Sequence, residues 1–246
     1  MIALFETVLA LLVLAVALAL RPWRMLGGAL LTPFLAGVVF LPWFWMLPQL
    51  LPSSVVAGGI SVQLSGACLM TLVLGWPLAV VALGAVSAVV WVVGQLPFEA
   101  WLSQWLWLGL VPATLTLGLG ALMRRWLPSQ VFVYILGRGF LGTAASIFVA
   151  GVMYELLYHL VGGVAVEQAL VARWLMAWGD AFLTGLFTAI FVAFKPEWLA
   201  TWSDERYLTP PPPPGPPGTP GALTSAELNE QAPPAIRLPE DPPSRG

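Results

Sequence analysis

From Ala3 to Phe194 the chain carries only eleven charged side chains, and four of its six arginines there stand at the ends of long apolar runs. Soluble domains devote about a quarter of their residues to charge. This chain devotes 9% to charge, while 59% of its residues are apolar. Such a pattern specifies a polytopic α-helical protein for which a bilayer is the suitable solvent.

A membrane helix needs about 20 apolar residues, and residues 3–20, 26–47, 101–122, 130–153 and 169–194 each supply a run of that kind. Residues 62–93 carry no charge and are mostly apolar, yet as one helix they would extend about 48 Å at about 1.5 Å per residue. The hydrocarbon core is about 30 Å thick. Gly75-Trp76-Pro77 is the expected break, because a proline ring clashes with the preceding turn and offers no donor. Two shorter helices, 62–74 and 78–93, bring the expected number of spans to seven.

With seven spans, Arg21, Arg24, Arg124, Arg125, Lys195 and Arg206 fall on one side and Glu99, Glu155 and Glu167 on the other. Basic loops stay in the cytoplasm, so the N-terminus is expected outside and the C-terminus inside. Trp23, Trp126, Trp198 and Trp202 then mark an inner interface, and Trp43, Trp45, Trp101 and Trp105 an outer one. Residues 3–20 have the length of a secretory core, but no positive charge precedes them and Glu6 adds a negative one. A retained first span is therefore expected. Residues 1–208 form the expected membrane domain. Residues 209–246, rich in proline and glycine, are expected to be a disordered or polyproline II cytoplasmic tail.

Ionisable residues within spans are costly and mark candidate sites. Arg138 and Asp180 both approach mid-membrane and are expected to pair. Arg173, seven residues before Asp180, shares its helix face, which is expected to point into the bundle. Glu6 is read as a carboxylate stabilised at a helix N-terminus. The single histidine, His159, and the single cysteine, Cys68, form no metal-ligand spacing. No nucleophile stands with a base, and no Walker lysine or glycine-rich dinucleotide loop occurs. An enzyme, a bound cofactor and a basic nucleic-acid footprint are thus not expected, and lipid is the expected surrounding partner. A retinal-type receptor is excluded because the only lysine, Lys195, lies at a helix end rather than in mid-span.

Two blocks carry a family resemblance. Gly59-Ile60-Ser61-Val62-Gln63-Leu64-Ser65-Gly66, followed by Leu74-Gly75-Trp76-Pro77, and Gly179-Asp180-Ala181-Phe182-Leu183-Thr184-Gly185 resemble segments of the substrate-binding membrane subunit of energy-coupling-factor cobalt and nickel transporters. The ending from Lys195-Pro196-Glu197-Trp198 to Tyr207-Leu208 is similar to a proteobacterial branch identified as energy-coupling-factor permeases. The resemblance implies a substrate-binding bundle in the bacterial inner membrane. It also implies uptake of a transition-metal ion or another small solute, with a separate transmembrane coupling subunit and ATPase subunits as partners. Ser61, Gln63, Asp180 and Arg138 are the candidates to line its cavity. The family's metal-binding histidines are replaced here by Val62-Gln63, and the N-terminus reads Met1-Ile2-Ala3. No metal site is therefore expected, since nickel and cobalt sites draw on nitrogen or sulfur donors. The alternative reading is a noncatalytic membrane scaffold or assembly protein that has lost transport.

Overall fold

The computed structural model describes residues 2–50, 63–126, 130–162 and 166–203. Ser61, the first cavity candidate, and the expected tail at 209–246 lie outside the described residues. Among those described, every regular element is helical. They are α1 (Ile2–Ala19), α2 (Leu31–Leu50), α3 (Ala67–Leu74), α4 (Trp76–Gly94), α5 (Phe98–Gln104), α6 (Val111–Trp126), α7 (Gly142–Gly162) and α8 (Val166–Phe194). A π-helical stretch, Trp105–Leu110, joins α5 to α6, and another, Val133–Leu141, leads into α7. Among the described residues, six helical segments are long and apolar enough to cross a membrane. Their outward faces carry Leu4, Val8, Leu12, Phe40, Val92, Leu175 and Phe182, all exposed. Such a rim suits hydrocarbon and is that of a multi-pass membrane protein.

The expected break is present. Between α3 and α4 the chain turns at Gly75, whose φ of 76° and ψ of 154° lie in a region that only glycine populates readily. Pro77 then sits in the first turn of α4, where its missing N–H costs nothing. The third span differs from expectation, however. Helix is absent at 63–66 and begins only at Ala67, so α3 is eight residues long, about 12 Å. It is a half-helix.

Helix α4 is the centre of the bundle, packing against α1, α2, α3, α5 and α6. Its Leu78, Ala79, Ala82, Leu83, Val86 and Val90 are all within 2% of full burial, at the spacing of one helical face. Alanines on that face let neighbouring backbones approach closely, which is how helices associate where lipid is as apolar as the side chains. Helix α8 lies against α7 and against Val133–Leu141.

One end of the bundle gathers the basic loops. Met25, just after Arg24, lies against Gly75, as does Ala200. The segment after α8 folds back there: Ala200 N donates to Val73 O at 2.9 Å and Thr201 Oγ1 to Leu72 O at 2.9 Å. These bonds satisfy carbonyls that the last turn of α3 leaves open. Glu6, Glu99 and Tyr158 belong to the opposite end, where α1 meets α5 and α7.

The tryptophans correct the interfacial reading in part. Trp23, Trp43 and Trp126 are exposed, but Trp45 is fully buried and Trp105 nearly so. Trp45 lies over Gly109, where a Cβ would stand 3.0 Å from its ring. It is a core residue. Its indole has a specific partner inside the bundle, as follows.

A candidate solute site at a broken helix

Residues 63–66 enter the bundle without helical hydrogen bonding, and unpaired backbone groups are expensive away from water. The exposed groups of Ser65 and Gly66 are met from α8, α2 and the π-helical stretch before α6. Asp180 stands at the midpoint of α8. Its Oδ2 accepts from Ser65 N at 2.9 Å and its Oδ1 from Gly66 N at 3.0 Å. Trp45 Nε1 donates to Ser65 O at 2.9 Å. Ser65 Oγ donates to Leu108 O, in the π-helical stretch, at 2.6 Å, and accepts from Ala67 N at 3.2 Å. Gly66 takes a φ of 63° and accepts from Met70 N, which starts α3. A half-helix thus begins inside the bundle with its N-terminal dipole facing the carboxylate of Asp180.

Above this turn lies a cavity of about 470 Å³. One wall comes from α5 and its continuation: Glu99, Ala100, Ser103, Gln104 and Trp107 share a face at helical spacing. The facing wall comes from α7, with Ala150, Gly151, Tyr154 and Tyr158 at the same spacing. Arg173 of α8 and Gln63 close the lower side. Beneath it, a space of about 30 Å³ is bounded by Gln63, Ser65, Trp107, Gly151, Arg173, Met176 and Asp180 among others. The two share Gln63, Trp107, Leu108, Gly151 and Arg173, so the broken helix is the floor of the cavity.

The walls are held by buried polar contacts. Glu6 is 1% exposed, and its Oε1 accepts from Trp107 Nε1 at 2.7 Å and from Tyr158 OH at 2.9 Å. Tyr158 OH also lies 3.1 Å from Ser103 Oγ. Arg173 Nε donates to Glu155 Oε1 at 3.1 Å, and its guanidinium lies 4.9 Å from the Tyr154 ring centroid. Gly151 makes room for it, since a Cβ there would stand 3.0 Å from Arg173 Cδ. Gln104 Nε2 donates to Trp45 O at 2.9 Å, and Gln63 Nε2 to the same oxygen at 3.4 Å.

Of the four cavity candidates, Gln63 and Asp180 meet at this site, and Ser61 lies outside the described residues. Arg138 does not reach it. The expected Arg138 to Asp180 ion pair is corrected, because both carboxylate oxygens of Asp180 face the Ser65 and Gly66 amides just ahead of α3. Arg138 instead packs against Gly120 of α6, where a Cβ would stand 2.6 Å from its Nη2, and 5.5 Å from the Tyr134 ring centroid. Its neighbour Gly139 touches Thr188, eight residues beyond Asp180 and so about 12 Å further along α8. The offset in depth separates the charges. Nε and Nη1 of Arg138 are buried without a hydrogen-bond partner among the described residues. Thermal unfolding of the Arg138→Met, Asp180→Asn and double variants is therefore expected to be additive within about 0.5 kcal/mol, as for distant sites. A larger coupling energy in that cycle would restore the pair.

Two further expectations are settled by burial. Arg173 and Asp180 do face inward together. Glu6 is not a helix-terminal carboxylate: α1 starts at Ile2, and Glu6 lies past the first turn, buried against α5's continuation and α7. Its role was hidden in the sequence because its partners are 101 and 152 residues away. Among the described residues no three of His, Cys, Asp and Glu gather as metal ligands. Comparison of the chain with family models, with curated proteins and with solved structures finds no match.

Proposed function

We propose that this chain is the solute-binding permease subunit of a membrane uptake system energised by separate partner subunits. The cavity that ends on a broken helix carries the reading. Irregular backbone at membrane depth is tolerated where it is buried in protein or lines a cavity, and transporters build their solute sites from discontinuous helices. A volume of about 470 Å³ falls within the roughly 300–1,000 Å³ usual for small-molecule sites. The two blocks that resemble energy-coupling-factor permeases supply Ser65 and Gly66 on one side and Asp180 on the other, and these are the groups that bond to each other. In this reading the chain crosses the membrane seven times, with residues 63–74 belonging to the third crossing. The cavity opens outward, and the basic loops remain in the cytoplasm. The solute is a small molecule rather than a tightly held nickel or cobalt ion, because the described residues that line the site offer no imidazole or thiolate donor.

Purification of the full chain from native membranes tests this. A transmembrane coupling subunit and an ATPase are expected to co-purify, and mass spectrometry of small molecules should find a retained solute. Ala100 is exposed on the cavity wall, so Ala100→Trp should fill the space and lose that solute while the protein still folds. Recovery of the chain without such partners, and with the same small-molecule content in both proteins, would refute the permease reading.

A further inference from the structure

We infer that the cavity takes a small organic cation, an ammonium or substituted ammonium group held against the Trp107 and Tyr158 rings. The inference rests on the solute-site reading above and assigns the chemical class of the solute.

Charge is the first argument. Among the described residues, Glu6, Glu99, Glu155 and Asp180 line the two spaces or stand directly behind their walls, against the one guanidinium of Arg173. Arg173 is already engaged by Glu155 and by the Tyr154 ring. Glu6 is buried with two hydrogen-bond donors on it but no cationic side chain within salt-bridge distance among the described residues. A buried carboxylate whose described partners are neutral donors favours positive charge nearby.

The second argument concerns the place an anion would otherwise take. A helix N-terminus inside a bundle is a ready anion site. Here the exposed amides of Ser65 and Gly66 already hold the Asp180 carboxylate. An anionic solute group would have to displace it.

The third is the wall itself. Trp107 and Tyr154 meet edge to face with centroids 5.8 Å apart, and Tyr154 and Tyr158 lie 4.4 Å apart. Trp107 Nε1 and Tyr158 OH both point their protons at Glu6, which pins the rings and sets a negative charge behind their edges. Aromatic faces attract cations, most strongly where water is excluded. A metal ion is the poorer fit, since hard cations draw on six or more gathered oxygens and no ligand cluster of His, Cys, Asp and Glu occurs among the described residues.

Calorimetric titration of the full chain in detergent micelles, with three probes of similar shape, tests the class. Choline carries the cation, dimethylbutanol is its uncharged carbon analogue, and dimethylbutyrate carries a carboxylate. Choline is expected to bind at least about tenfold more tightly than either. Binding should be lost in Ala100→Trp and weakened in Trp107→Leu, each checked for folding by thermal unfolding. Equal or tighter binding of dimethylbutanol or dimethylbutyrate would overturn the cation class, as would choline binding unchanged in both variants. Absence of choline binding would also overturn it. If the purified chain still retained a solute that Ala100→Trp loses, the permease reading would survive that result and only the class of solute would fall.

Discussion

Replacing Asp180 with alanine should lower the stability of the folded protein by roughly 2–6 kcal/mol, the cost of leaving two buried donors unmet. The amides of Ser65 and Gly66 have no helical acceptor, because they precede the first turn of α3, and both now donate to Asp180. Asp180→Asn should fall between wild type and alanine, since an amide oxygen can accept one of the two bonds while its NH₂ group opposes the other donor. Thermal unfolding in detergent, read beside hydrogen exchange at residues 64–70, checks both the size and the place of the effect. A destabilised protein with unchanged exchange at α3 would show that Asp180 acts elsewhere. Solute binding should weaken in the same order, because the turn that loses its anchor is the cavity floor.

Substituting Gly75 with alanine should cost about 1–3 kcal/mol of backbone strain. At φ 76° and ψ 154° the new Cβ collides with its own backbone, and it would also stand 3.3 Å from Met25 Cε. The turn cannot relax freely, since Val73 and Leu72 on one side are tied to Ala200 and Thr201 and Trp76 begins the central helix on the other. For comparison, alanine at Gly179, where no atom lies within 4 Å of the added carbon, should be neutral or slightly stabilising through helix propensity. Unfolding midpoints of the two variants measured together test the claim. Equal midpoints would mean that the α3 to α4 turn is not under the constraint described.

Much of this architecture is legible in the amino-acid sequence. Apolar runs of the length a bilayer demands mark six helices, and Gly75-Trp76-Pro77 marks the break because proline and glycine act through their own backbones. Asp180 also announces itself, as a charge at the middle of an apolar helix. Its partner does not. The sequence offers Arg138 as the opposite charge at comparable depth, whereas the carboxylate is used by backbone N–H groups. Every residue but proline carries such a donor, so nothing in the chain's chemistry marks which two will be left free.

The tryptophans show the same division. An indole in a span suits an interface or a core equally, being apolar with one polar handle. Trp45 is buried because Ser65 O and the bare backbone of Gly109 happen to meet it. Glu6, Trp107 and Tyr158 are unremarkable along the chain and become one buried contact only when α1, the α5 continuation and α7 pack together. Sequence by itself determined the solvent, the helices, the main break and which residues were too costly to be accidental, because those depend on composition and local backbone preference. The cavity, the half-helix N-terminus and the pairing of each buried polar group were decided only by tertiary structure, because they depend on which helices lie at the same depth and which faces they turn to one another.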